Sequence, residues 1–71
     1  MKKRVIFSAH AIQRMTQRSI RIPQVIEAID APDQIRHTHQ ERKIAVKWVS
    51  NRKVHVVYKE ESVTIIVITV Y

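Results

Sequence analysis

The chain has 71 residues, with 13 Lys and Arg against 6 Asp and Glu, a formal net charge of +7, and neither cysteine nor glycine. That length holds one domain, residues 1–71, which buries only about 60% of the surface its unfolded chain exposes and is marginally stable alone. Without cysteine there is no disulfide framework or thiolate metal site, and without a long apolar run or signal-peptide pattern neither a membrane span nor export is expected; the expected compartment is the cytoplasm and the expected partner a polyanion.

Met1 to Arg4 is a basic lead-in, and Val5-Ile6-Phe7 is a short apolar run that reads as an edge strand or a packed N-terminal arm. Ser8 is a good helix N-cap, because its hydroxyl satisfies an amide one turn on. From there Ala11, Ile12, Met15 and Ser19 fall on one side of a 3.6-residue period, while His10, Arg14 and Arg18 follow at i, i+4 and i+8 along another stripe. The plain reading of that stripe is a solvated polar face; the sharper one is a phosphate-handling site. No acidic residue precedes Glu27, whereas Lys2, Lys3, Arg4, Arg14, Arg18 and Arg21 all do, so positive charge concentrates around the first helix.

Pro23 suits the first turn of a second helix, where its missing amide costs nothing. Ile22, Val25, Ile26 and Ile29 then mark a buried stripe, with Gln24, Glu27 and Asp30 outward, and Pro32 disfavours helical geometry at Ala31. The expected helices are thus near Ser8–Arg18 and Pro23–Ala31, with Ile12, Met15, Ile22, Val25, Ile26 and Ile29 facing a sheet.

Beyond Asp33 the period changes from 3.6 to 2. Gln34 to His39 is a weak strand. Arg42 to Ser50 alternates Ile44, Val46 and Trp48 against Lys43, Ala45, Lys47 and Val49, and Lys53 to Lys59 alternates Val54, Val56 and Tyr58 against His55 and Val57. Lacking glycine, the turn at Ser50-Asn51-Arg52-Lys53 is expected to be longer than a tight type I′ hairpin, and so is that at Glu60-Glu61-Ser62. Val63 to Tyr71 is apolar on both faces, which suits a strand covered on both sides or flanked by two others. The fold class is α+β: two N-terminal helices packed on a roughly four-stranded antiparallel sheet.

His37-Thr38-His39 would place two imidazoles on one strand face, but no third fixed ligand accompanies them, so exposed edge histidines are the favoured reading. Asp30 with Asp33 and Glu60 with Glu61 read as capping and turn residues, and no phosphate-binding loop, nucleophile elbow or cysteine nucleophile is present. No cofactor and no metal are therefore expected. What remains for an enzyme is metal-free RNA cleavage, in which a 2′-hydroxyl attacks its own phosphodiester and needs a base, an acid and fixed positive charge. His10 is the proton carrier on this reading, Arg14 and Arg18 hold the phosphate by bidentate hydrogen bonds, and Lys2, Lys3, Arg4 and Arg21 bind the RNA. For the second proton carrier His55 and Tyr58 lie on opposite strand faces, so at most one shares the side of His10. The rival is a non-enzymatic basic module that binds nucleic acid or docks an acidic partner; with Phe7, Trp48, Tyr58 and Tyr71 as the aromatics, a base-stacking platform is weakly supported.

The run Ser8-x-His10-Ala11-x-x-Arg14-Met15-x-x-Arg18, followed by Asp30-Ala31-Pro32-Asp33 and a final Ile68-Thr69-Val70-Tyr71, resembles the small bacterial and phage domain-of-unknown-function family 4258 over nearly the whole chain. The resemblance implies a helix-then-sheet domain of RelE-like kind, grouped with the barnase, EndoU and colicin ribonucleases. It further implies a metal-independent endoribonuclease of the toxin–antitoxin type, with RNA, an acidic antitoxin and the ribosome as partners. By analogy with RelE-like toxins that use a C-terminal tyrosine, it offers Tyr71 as the second proton carrier.

Overall fold

The computed structural model describes residues 3–71. In chain order these form β1 (Arg4–Phe7), α1 (Ala9–Arg18), α2 (Ile22–Asp30), β2 (Gln34–His37), β3 (Arg42–Val49), β4 (Arg52–Glu60) and β5 (Thr64–Val70). The strands make one sheet in the order β1-β5-β4-β3-β2, and both helices pack on one of its faces. None of the helices is long and apolar enough to cross a membrane, among the described residues.

The α+β class holds, but the sheet has five strands and is mixed rather than antiparallel throughout, because Val5-Ile6-Phe7 forms an edge strand parallel to β5, with Val5 opposite Ile65 and Phe7 opposite Val67. The physical reason is β5 itself. A strand apolar on both sides needs neighbours on both edges, and β1 closes the edge that β4 leaves open.

Local chemistry sets the helix ends. The Ser8 hydroxyl accepts the Ala11 amide at 3.0 Å and donates to the Ile68 carbonyl at 2.7 Å, so one residue both caps α1 and ties it to β5. Ser19 ends α1 with φ 56°, and the Ile20 amide returns to the Met15 carbonyl at 2.8 Å. At α2 the Gln24 Oε1 accepts the Arg21 amide at 2.9 Å, Pro23 sits in the first turn, and Lys47 Nζ donates to the Ala31 carbonyl at the far end.

Ala11, Met15, Val25, Ala28 and Ile29 are buried against Ala45, Val54, Val56, Tyr58, Ile65, Val67 and Val70. Two expected core residues are not there: Ile12 is 44% and Ile22 48% exposed, and Ile26 is only half-buried. The small side chains of Ala11 and Ala28 are fully buried at the helix–sheet contact, so the buried stripes run through Ala11–Met15 and Val25–Ala28–Ile29 and leave Ile12, Ile22 and Ile26 to the side. The β3–β4 connection also differs from expectation. It is a two-residue turn with φ 48° at Ser50 and 69° at Asn51, the positive pair a type I′ hairpin requires, made without glycine. β2 stops at His37, so His39 lies in the following turn and the two imidazoles do not share a strand face.

At the other end of the sheet Glu60 joins three segments: its carboxylate accepts Lys3 Nζ and Lys43 Nζ, each at 2.7 Å, beside a cleft of about 330 Å³ walled by Ile29, Ile35, Tyr58 and Ile65. The hydrogen bond from Lys3, then that from Lys43, pulls the Glu60 carboxyl from 4.5 down to about 2. A carboxylate with a depressed folded pKa adds stability that is complete above its unfolded value and lost as pH falls through the folded one. Stability should therefore decline between about pH 4.5 and about 2. Glu60→Gln should flatten that decline and cost roughly 0.5–2 kcal/mol at neutral pH, the sum of two half-exposed pairs. Urea titrations across that range check it, and an unchanged decline in the variant would place the acid-sensitive group elsewhere.

Candidate functional site

His10, Arg14 and Arg18 do form one stripe along α1, with His10 and Arg18 exposed and Arg14 half-buried. The side chains of the three make no hydrogen bond or ion pair with another described residue. The expected RNA-binding residues are dispersed. Lys2 lies outside the described residues; Lys3 is engaged with Glu60 and the Glu61 carbonyl; Arg4 begins β1; Arg21 is exposed at the start of α2.

Tyr71 is on the other side of the sheet. Val54 and Val56 of β4 belong to the core, so His55 between them points to the face without helices. His55 and Tyr71 exchange both backbone hydrogen bonds, at 2.7 and 2.9 Å, and their rings stack with centroids 4.5 Å apart and planes 5° from parallel. The expected set of His10, Arg14, Arg18 and Tyr71 is thus divided by the sheet: three members on the helix layer and one on the open face. Tyr58, the other tyrosine considered, is 3% exposed on the helix side, where burial pushes its hydroxyl pKa up.

The open face brings together a different group. Burial lowers the His55 pKa from its ordinary 6.5, and the charges of Lys53 and Arg36 lower it further; the Tyr71 main chain pulls the other way. His55 Nδ1 is itself buried, so the ring is held in the sheet face beside the Tyr71 main chain. In register His55 lies opposite Val46, and Trp48, two residues along β3, lies opposite Lys53. Trp48 is 60% exposed and Tyr71 42% exposed, so two of the four aromatics face solvent on the same side as His55.

This grouping was legible only through the hairpin. Counting back through a two-residue turn at Ser50-Asn51 sets Lys53 against Trp48 and His55 against Val46. A longer loop moves the register and hides the cluster.

No group of three or more His, Cys, Asp or Glu that could hold a metal ion occurs among the described residues. No curated protein and no solved structure matches the chain. The family model described as Domain of unknown function (DUF4258) covers residues 7–71, nearly the full length, and the chain belongs to that family.

Proposed function

We propose that the protein is a metal-independent endoribonuclease of the toxin–antitoxin kind, acting in the cytoplasm, with its reacting centre on the open sheet face. One observation carries this reading: a half-buried imidazole stacked on Tyr71 and under the positive fields of Lys53 and Arg36. Its lowered pKa keeps His55 neutral at pH 7, the form a general base requires. His55 takes the proton of a ribose 2′-hydroxyl, whose oxygen attacks the adjacent phosphorus. Arg36 and Lys53 stabilise the charge that builds on the phosphate oxygens. The bond from phosphorus to the 5′-oxygen breaks, and Tyr71 supplies the proton to that leaving oxygen. The products are a 2′,3′-cyclic phosphate and a 5′-hydroxyl, and no water or metal is consumed.

The α1 stripe of His10, Arg14 and Arg18 faces away from this centre and is offered to a second, acidic partner such as an antitoxin or the ribosome. That assignment accounts for positive charge on both sides of so small a domain.

The test is incubation of the purified protein with RNA in EDTA. Fragments ending in a 2′,3′-cyclic phosphate are expected. RNA left intact both in EDTA and with added divalent metal would overturn the enzymatic reading and leave a basic binding module.

A further inference from the structure

Trp48 is the largest apolar side chain on the surface and is 60% exposed, which costs free energy in water unless something else covers it. Its backbone is pinned, since the Trp48 amide donates to Asp33 Oδ2 at 2.9 Å, so the ring is presented from a fixed strand. On the same face Lys53 lies directly opposite, His55 lies one diagonal step away, and Tyr71 stacks beyond it. Val46, opposite His55 in register, is 1% exposed, so the face is closed beneath these rings.

From this juxtaposition of Trp48, Lys53 and the His55–Tyr71 pair we infer that the substrate is single-stranded RNA, one of whose unpaired bases stacks on Trp48. The inference rests on the reading of this face as the RNA site. The ring faces of bases in a duplex are covered by their neighbours, whereas an unpaired base offers a whole π-face to an aromatic side chain. Diagonal neighbours in a sheet are about 7–8 Å apart, comparable to one extended nucleotide. A base on Trp48 therefore sets the sugar and phosphate beside it over His55, with Lys53 against the backbone. Charge and stacking together select the same occupant: an aromatic surface flanked by Lys53 suits a polyanion with stackable bases better than an acidic peptide, which has charge but few planar groups.

Trp48 is the one tryptophan of the chain, so its fluorescence reports on this surface alone. The probe is a 2′-O-methyl RNA oligonucleotide, which cannot be cleaved, titrated as a single strand and as a duplex of the same sequence, with polyglutamate as a charge control. The single strand should quench Trp48 strongly and the duplex and polyglutamate only weakly. Trp48→Ala, measured by fluorescence polarisation of labelled oligonucleotide, should weaken single-strand binding about 5- to 150-fold, the equivalent of one lost base stack, and Trp48→Phe should restore most of it. Trp48→Ala should leave the salt slope unchanged, while Lys53→Ala should reduce it by about one. Equal quenching by duplex or polyglutamate, or parental affinity in Trp48→Ala, would overturn the inference. Selective quenching without any RNA cleavage would sink the nuclease reading alone, and cleavage without selective quenching would sink this inference alone.

Discussion

His55→Ala protein should cleave RNA about 10² to 10⁴ times more slowly than the parent, the usual loss when one general base is removed. Binding should change little, because a neutral imidazole contributes to the transition state rather than to ground-state charge. The pH profile separates a chemical role from a structural one. A base works only when deprotonated, and burial places the His55 pKa below 6.5, so kcat/KM in the parent should hold as pH falls past 6.5 and decline only below it. Any residual activity of the variant should lack that limb. Folding has the same sign: the unfolded chain takes up the proton first, so stability is complete above about 6.5 and is lost as pH falls through the folded value. Circular dichroism must accompany the rates, since a small marginal domain also loses activity by unfolding. His10→Ala is the matched control, an exposed imidazole on the opposite side of the sheet. Should it abolish cleavage while His55→Ala does not, the reacting centre lies on α1 and the open-face assignment falls.

Features written into a few neighbouring residues were readable from the chain. The Ser8 cap, the Pro23 start, the Pro32 stop and the two-sided apolarity of β5 each follow from one residue type or one period, and each appears in the structure. Three things depended on partners far along the chain. The pairing of Val5 with Ile65 is a contact no local period encodes, so a parallel edge strand was as compatible with Val5-Ile6-Phe7 as a packed arm. Which side of β3 meets the helices was equally open, because Ile44, Val46 and Trp48 look more core-like than Ala45, yet Ala45 is the one under the helices. Close packing of helix on sheet favours the small residue, and that preference sends Trp48 to the open face. The candidate site inherits this ambiguity: His10, Arg14 and Arg18 are visible as a helical stripe, while His55, Tyr71 and Trp48 become neighbours only through strand register.

The same preference for small residues at the helix–sheet contact sets the largest expected effect on stability. Met15 and Ile12 are both apolar residues of α1 on the face a helical period assigns to the core, yet Met15 is 5% and Ile12 44% exposed. Met15→Ala should cost about 2–5 kcal/mol from lost transfer energy and the cavity left among the core side chains. Alanine is the better helix former, so propensity offsets only a few tenths of that and the loss reports packing. A domain of this size has a total of roughly 4–10 kcal/mol, so the variant should sit near the edge of folding, its midpoint lowered by about 10 °C or more. Ile12→Ala, removing a side chain already half in water and gaining propensity, should cost under about 1 kcal/mol. Urea denaturation of the two proteins side by side decides it, with an unchanged m-value showing that both begin from the same fold. Equal losses would mean that α1 is rotated to bury Ile12, which would also turn His10, Arg14 and Arg18 to a different outlook on the surface.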